Sequence, residues 1–307
     1  AGAAEFDTER DSFNDLLKNA KFSLHAAKLN GKNRCEIFDS VNYMEYIKKL
    51  GIQDELRRCI SEGFEGFELY FQPIYNPQND KLSGAEALIR WNCSKYGFMG
   101  PDKFIPLLEE SALIIPLGRW IIDTAAKACN RWITNIPDFV MHINLSFVQI
   151  VKSNIIKDVL ERIGRYSAAN NHYVFEITET IEMDRIPAVE RVFKEFIKND
   201  FRLAIDDFGT GYSNYGYMRD KIFDIVKVDR SFITDIDKQR NNYLMVSFII
   251  KMAHEMGLHV CIEGVETKEE LACVRELGAD YIQGYYYGKP VCVADFEEQH
   301  LKKLILG

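Results

Sequence analysis

The chain has 307 residues, of which 47% are hydrophobic and 27% charged, and its 46 acidic against 38 basic side chains give a net charge of −8. This composition is that of a globular protein with enough apolar material for a large core, and the length fits two domains or one large α/β barrel. The acidic balance disfavours a partner such as polymeric nucleic acid, whose phosphate backbone needs a basic surface. It leaves open a small phosphate ligand held through metal ions.

The seven cysteines are scattered singly, and the sequence contains no CxxC pair. This pattern predicts reduced, mostly buried thiols and a cytoplasmic setting. No apolar run approaches the ~20 residues of a membrane span, and no signal peptide precedes the first charged residues. We therefore expect no membrane contact from this segment, although a longer chain could be tethered to a membrane through a preceding region.

Residues 1–40 are predicted to form a strand, a helix and a second strand. AGAAEF is the first strand, a helix capped by Asp11 or Ser12 runs to about Leu29, and CEIFD is the second strand. Three elements in forty residues cannot bury a core of their own, so they pack on something else or belong to a truncated domain. A second helix, roughly 42–63, leads into the rest of the chain.

From about residue 67 onward, strand and helix patterns alternate. Eight strands that alternate with helices are typical of a (β/α)8 barrel. The strands are expected at FELYFQPI (67–74), GAEALIRW (84–91), VMHINLS (140–146), YVFEITE (173–179), RLAIDDF (202–208), DIVKVD (224–229), HVCIEGVE (259–266) and YIQGYYY (281–287). Helices are expected between most of them, for example at 116–134, 185–199, 239–257 and 267–277.

The connection between the first two of these strands breaks the pattern. The connecting segment YNPQNDKLS is rich in turn residues and too short for a helical crossover, whereas parallel strands need a dozen or more connecting residues. We therefore predict a modified TIM (β/α)8 barrel with an antiparallel first strand.

Polar side chains follow apolar residues at the ends of seven strands. In a barrel of parallel strands the carboxyl ends meet at one face, where such enzymes keep their active sites. Any one of these acidic residues is more often a solvated surface charge, but the same coincidence on seven strands favours a common site. The residues are Glu86, Asn144, Glu176 (with Glu179 three residues further on), Asp206, Asp207, Lys227, Asp229, Glu263, Glu266 and Gln283.

Carboxylates packed this closely must be neutralised by protons, a lysine or divalent cations. Oxygen-only ligands favour Mg²⁺ or Mn²⁺ over zinc. Asp206 and Asp207 are suited to bridge two ions for in-line attack on a phosphoryl centre. Because neighbouring side chains on a strand point to opposite sides, the pair can do so only if the strand ends there. Lys227 can orient the attacking water, and His142, within a strand, is expected to be a core or packing residue.

Ten segments, in order, closely resemble the EAL domain family over about residues 50–305. They are YFQPI, GAEALIRW, FIPLLEES, LGRWI, INLS, FEITET, IDDFGTGYSNYGYM, IVKVDRSFI, IEGVET and QGYYYGKP. The resemblance implies a cyclic di-GMP phosphodiesterase, which hydrolyses one phosphodiester bond of the cyclic dinucleotide to give linear pGpG. The family fold is a modified barrel with an antiparallel first strand, in agreement with the loop-length argument.

The resemblance also implies roles for individual residues. The implied metal ligands are Glu86, Asn144, Glu176, Asp206, Asp207 and Glu263. The implied catalytic residues are Lys227, which positions the attacking water, together with Glu86, Asp207 and Glu263. The implied substrate contacts are Gln72, Leu88, Arg90, Asp229, Gln283 and Pro290. Glu179 resembles the glutamate that anchors the DDFGTGYS loop, which in this family couples the metal site to the dimer interface, so a homodimer is expected.

The opening residues carry a second resemblance. LLKNAKFSLHAAKLNGKNRCEIFD is similar to the last helix and strand of a GGDEF domain, the diguanylate cyclase fold. No GGDEF signature occurs, so no cyclase activity is expected, and an unrelated capping segment is the alternative. We expect residues 1–40 to be a C-terminal GGDEF-like fragment, 41–50 a linker helix region and 51–305 the EAL phosphodiesterase domain of a tandem protein cut within its first domain.

The leading hypothesis is a phosphodiesterase with two Mg²⁺ or Mn²⁺ ions per site, which lowers cyclic di-GMP in bacterial signalling. One alternative is a catalytically silent EAL-type cyclic di-GMP receptor, and the complete ligand set argues against it. The other is an enolase-type barrel enzyme that uses carboxylates, a lysine and Mg²⁺. The asparagine ligand, the adjacent aspartates and the motif order disfavour that enzyme.

Overall fold

The computed structural model describes residues 1–5, 12–178, 187–210 and 222–302. Its contacts divide the chain into two compact units, Ala1–Arg58 and Cys59–Gly307. The boundary falls within the long helix α2 (Ser40–Ser61). The assignment of residues 1–40 and 41–50 to a GGDEF-like fragment and a linker stays a prediction.

The first unit contains a short parallel pair of strands. β1 (Gly2–Ala3) pairs with β2 (Glu36–Ile37), and α1 (Phe13–Leu29) lies between them in the chain. Ser12 caps α1, since its Oγ accepts a hydrogen bond from the backbone N–H of Asp15 at 3.2 Å and donates one to Oδ2 of Asp15 at 2.6 Å. The predicted strand–helix–strand order is therefore confirmed, with strands shorter than expected.

Aromatic side chains provide the packing inside this first unit. The ring of Phe22 lies 5.2 Å from that of Tyr43 and 5.3 Å from that of Tyr46, and the rings of Phe38 and Tyr43 lie 5.6 Å apart. Many apolar side chains of the unit remain exposed, as expected of elements too few to bury a core. They are Phe13, Leu17, Leu24, Leu29, Ile37, Val41, Met44, Ile47 and Leu50.

The second unit contains a closed barrel of eight strands. β3 (Phe67–Asn76) is antiparallel to both of its barrel neighbours, β4 (Lys81–Cys93) and β11 (Tyr281–Gln283), and the other neighbouring pairs are parallel. The connection between β3 and β4 is too short for a crossover, so it reverses the chain. The predicted modified TIM barrel with an antiparallel first strand is confirmed. The remaining barrel strands are β6 (Val140–Asn144), β7 (Tyr173–Thr178), β8 (Arg202–Phe208), β9 (Ile225–Val228) and β10 (His259–Glu263).

Helices lie between most of the barrel strands along the chain, and two short strands extend the sheet. β5 (Gly97–Met99) pairs with β4, and β12 (Val291–Cys292) pairs with β3. Among the described residues, none of the helices combines the length and the hydropathy that a membrane span requires. The helices of this unit are α3 (Pro101–Glu110), α4 (Ile114–Trp132), α5 (Phe147–Lys152), α6 (Ile155–Ile163), α7 (Pro187–Lys198), α8 (Arg240–Glu255), α9 (Lys268–Glu276) and α10 (Val293–Phe296).

Strand periodicity builds two rows of side chains inside the barrel. Residues two apart on a strand face the same side, so each strand places one side chain in each row. The polar row, nearer the C-terminal ends of the parallel strands, consists of Gln72, Glu86, Asn144, Glu176, Asp206, Lys227, Glu263 and Gln283. The apolar row consists of Ile74, Gly84, His142, Val174, Ala204, Ile225, Cys261 and Tyr281, and five of these residues form one buried apolar cluster.

Candidate active site

Lys227 lies at the centre of the polar row and is completely buried. Its Nζ lies 2.7 Å from Oε1 of Glu263 and 2.8 Å from Oε2 of Glu176. The same atom lies 3.2 Å from Oδ1 of Asp206 and 3.4 Å from Oε2 of Glu86. One ammonium group therefore contacts carboxylates from four other strands, and the predicted meeting of the strand ends at one centre is confirmed for these residues.

Two amide side chains donate hydrogen bonds to the carboxylate of Glu86. Nδ2 of Asn144 donates to Oε1 of Glu86 at 2.6 Å, and Nε2 of Gln283 donates to Oε2 of Glu86 at 2.6 Å. Gln283 also donates to Oε1 of Gln72 at 2.9 Å. The antiparallel pairing of β3 and β4 places Gln72 directly opposite Glu86. The antiparallel strand β3 thus contributes Gln72 to the site.

Asp206 and Asp207 reach the same site because the backbone departs from regular strand geometry. β8 spans Arg202–Phe208, as predicted, so the strand does not end at the pair itself. Instead, its pairing with β9 shifts register between Ile205 and Phe208, and Asp207 is left-handed with a φ of 55°. Carboxylate oxygens of Asp206, Asp207 and Glu263 consequently lie within 4.8 Å of one another.

The crowding of charge shifts the pKa values of the cluster. Burial alone would lower the pKa of Lys227, but the surrounding carboxylates raise it well above its usual range. Burial raises the pKa of Glu263 to about 8, and burial together with the charge of Asp206 raises the pKa of Asp207 to about 6. The pKa of Glu86 is lowered, because Lys227 and two amide donors outweigh the effect of its burial. Lys227 and the raised pKa values therefore offset part of the negative charge of the cluster.

A pocket of about 320 Å³ lies at this end of the barrel. Nine of the predicted site residues line it: Gln72, Glu86, Leu88, Asp206, Asp207, Asp229, Glu263, Glu266 and Gln283. Arg90 and Pro290 are not among its described lining residues. The Arg90 guanidinium donates to the carbonyl of Ile89 at 2.9 Å, and Pro290 directly precedes β12. The predicted loop anchor Glu179 lies outside the described residues.

His142 is buried, as predicted, but it also contacts the site. Its Nδ1 lies 2.7 Å from Oε1 of Glu176. Burial, followed by the charge of Lys227, lowers the pKa of His142 to about 3, so the imidazole is neutral. The available signal was strand periodicity, since His142 precedes Asn144 by two residues and therefore faces the same side.

Arg230 and Tyr285, which are not among the predicted site residues, line the pocket as well. Arg230 follows Asp229, whose side chain caps a 3-10 turn over Arg230–Phe232. Gly264 packs against this turn with a φ of +74°, and a Cβ at that position would lie 2.2 Å from Cβ of Arg230. Arg230 and Tyr285 lie beyond the ends of their strands, where the two-residue period of a strand no longer indicates which side a side chain faces.

The fold and the site define a class: α/β barrels with one reversed strand and a carboxylate cluster around a buried lysine at the C-terminal ends of the strands. The model of one family, the EAL domain, matches residues 53–290. The chain belongs to the EAL domain family.

Named relatives and a solved structure are similar over most of this chain. The cyclic di-GMP phosphodiesterase NbdA of Pseudomonas aeruginosa is 30% identical over 97% of this chain and 38% of its own length. The bifunctional diguanylate cyclase/cyclic di-GMP phosphodiesterase MucR of the same organism is 28% identical over 94% of this chain and 42% of its own length. The structure of the PaMucR phosphodiesterase in a cyclic di-GMP complex is 28% identical, with a TM-score of 0.75, over 80% of this chain and 99% of that chain. The chain thus spans less than half of the length of these two curated relatives.

Proposed function

We propose that the chain is a metal-dependent phosphodiesterase that hydrolyses cyclic di-GMP to linear pGpG and so lowers this second messenger in bacterial signalling. The observation that carries the proposal is the convergence of four carboxylates on Lys227 in an EAL-family barrel. The relatives support the substrate, since NbdA is named a cyclic di-GMP phosphodiesterase and the PaMucR phosphodiesterase structure is a complex with that nucleotide.

The donor atoms of the site fit two divalent ions such as Mg²⁺ or Mn²⁺, which prefer oxygen ligands. Oε1 of Gln283, a buried oxygen, accepts no hydrogen bond from any described residue, and Oδ1 of Asp206 is compensated only by the ammonium of Lys227 at 3.2 Å. Such atoms are costly unless a cation or donor compensates them. The chemistry that two ions supply at such a site is charge stabilisation at phosphorus and activation of water. The residues that would hold them are Glu86, Asn144, Glu176, Asp206, Asp207 and Glu263.

In the proposed reaction, water adds to one phosphorus, one P–O ester bond breaks, and the released hydroxyl oxygen takes up a proton. Lys227 is placed to orient the water and to stabilise the developing negative charge, because its ammonium is held among fixed carboxylates. Glu86, Asp207 and Glu263 keep that arrangement in place. Arg90 is proposed to bind the second phosphate, and the other proposed nucleotide contacts are Gln72, Leu88, Asp229, Gln283 and Pro290.

Nucleotide analysis tests this proposal directly. The chain is incubated with cyclic di-GMP and Mg²⁺ or Mn²⁺, and the nucleotides are separated by chromatography. Formation of pGpG supports the phosphodiesterase, whereas binding without turnover supports the receptor alternative, and no binding rules out both. Glu86→Ala is expected to abolish turnover, and wild-type kcat in this variant would show that the metal site is wrongly assigned.

We also propose that the chain acts as a homodimer. Helix α8 exposes Leu244, Met245 and Phe248, which are 53%, 49% and 64% accessible. Their spacing places them on one face of the helix, and large exposed apolar groups that lie together mark interaction surfaces. A second copy related by a two-fold axis would cover this face with the same residues.

The first unit is proposed to be the remnant of a GGDEF domain in a tandem protein. The match to MucR, which is named a bifunctional cyclase and phosphodiesterase, covers 94% of this chain and so extends into that unit. We also propose a cytoplasmic location from the cysteines. All seven are thiols rather than disulfides, and Cys59, Cys93, Cys129 and Cys261 are buried.

A further inference from the structure

His142 is a polar residue in the apolar row of the barrel. His142 pairs across the sheet with Glu86 on β4 and with Val174 on β7, and it is only 4% exposed. Burial of an imidazole costs free energy unless hydrogen bonds compensate it. Packing alone therefore does not explain a histidine here, because an aliphatic side chain would fill the row without this cost.

The contact of His142 with Glu176 provides the compensation. Nδ1 of His142 lies 2.7 Å from Oε1 of Glu176, whose own exposure is 1%. In the ionised form that ligates a cation, the Glu176 carboxylate only accepts hydrogen bonds, so Nδ1 then carries the proton and donates it. Oε2 of the same carboxylate accepts from Lys227 at 2.8 Å. Each oxygen of Glu176 is thus held by a different donor, one from each row.

His142 also lines a cavity of about 600 Å³ at the opposite end of the barrel. The first residues of several strands, Val140, Arg202, Ile225 and Tyr281, form part of its wall. Glu176 is not among the described residues that line the cavity, and Nε2 of His142 makes no hydrogen bond with a described residue. The imidazole therefore separates Glu176 from this cavity.

We propose that His142 is a positioning residue, which acts from the N-terminal side of the barrel to hold the Glu176 carboxylate in the orientation needed to ligate a divalent cation. This inference rests on the proposed function in one respect, namely that Glu176 is a metal ligand. Hydrogen-bond partners of ligating groups typically change metal affinity or activity by about 10–100-fold when they are removed.

The test measures Mn²⁺ affinity by electron paramagnetic resonance, without nucleotide, in the full chain and its variants. His142→Ala is expected to bind Mn²⁺ about 10–100-fold more weakly. Added imidazole, which can enter from the cavity, is expected to restore most of the affinity, and His142→Gln, which keeps an N–H donor, is expected to lose less. His172→Ala is the matched control, because His172 lines the same cavity but bonds the carbonyl of Phe139 at 2.7 Å. This control is expected to keep its affinity and to show no response to imidazole.

A folded His142→Ala chain that binds Mn²⁺ as tightly as the unaltered chain would overturn the inference, and so would a loss that imidazole does not reduce. If this variant does not fold, His142→Gln is compared with His142→Leu, and equal affinities in these two variants overturn it. If Mn²⁺ binding depends on His142 but the chain leaves cyclic di-GMP intact, the proposed function is wrong and the inference about His142 stands. If the unaltered chain does not bind Mn²⁺, both the inference about His142 and the proposed function are wrong.

Discussion

Nζ of Lys227 donates a hydrogen bond to Oε2 of Glu176 at 2.8 Å, and both side chains are buried in the centre of the barrel. Buried charges persist when they are paired, and removal of one partner leaves the other uncompensated. Lys227 has four carboxylate partners, so its loss leaves a concentration of negative charge that the metal-free barrel cannot solvate.

Lys227→Met is therefore expected to destabilise the metal-free chain by about 3–5 kcal/mol and to lower kcat by at least about 10²-fold. Thermal unfolding in EDTA and steady-state kinetics measure these effects, and added Mn²⁺ is expected to raise the melting temperature more in this variant than in the unaltered chain. Lys238→Met is the control, because the exposed Lys238 pairs with Asp235 at the surface, where an ion pair contributes about 0–1 kcal/mol. Equal melting temperatures for the two variants would contradict the prediction.

Metal affinity is expected to rise with pH. The pKa values of Asp207 and Glu263 are raised to about 6 and about 8, so below these values each group holds a proton that a cation must displace. The affinity for Mn²⁺ should rise most steeply below the lower pKa, more gradually between the two values, and level off above the higher one. Titration calorimetry in buffers of different ionisation enthalpy counts the protons released. Asp207→Asn should flatten the lower part of the profile, and a constant affinity in the unaltered chain would refute this prediction.

Gly264→Ala is expected to reduce both stability and substrate affinity. Its φ is +74°, and the added Cβ would lie 2.2 Å from Cβ of Arg230, so a clash adds to the backbone strain. Gly278→Ala is the matched control, since its φ is +82° and nothing lies within 4 Å of the added atom. We expect a loss of about 1–2 kcal/mol from the strain in the control, and a larger loss with a raised KM at Gly264. Equal melting temperatures and KM values in the two variants would show that the contact with Arg230 is unimportant.

Phe248→Glu is expected to convert the proposed dimer to a monomer, because it places a charge in the centre of the exposed apolar face of α8. Sedimentation velocity measures the change in mass. Leu160→Glu is the control, since Leu160 is also exposed but lies on α6. A dimer that survives the Phe248 substitution, or an unaltered chain that sediments as a monomer, would exclude α8 as the interface.

The barrel could be predicted from the sequence because eight alternations and one short connection leave few topologies. The polar row could also be predicted, since most of its members come at the ends of apolar strand runs. The left-handed backbone conformation of Asp207 could not be predicted, because the two-residue period of strand side chains does not indicate where a register shift occurs. The contact of His142 with Glu176 requires the pairing of β6 with β7, and the position of Arg90 beside the pocket depends on packing that no local pattern specifies.

The four ion pairs of Lys227 allow folding of the barrel and binding of a cation to be separate events. Small zinc domains stay unfolded until their metal arrives, because nothing else holds their ligands together. Here Lys227 already draws carboxylates from four strands to one point. We therefore expect the barrel to fold without a bound cation, so that the proposed ions would bind to a site that is already folded.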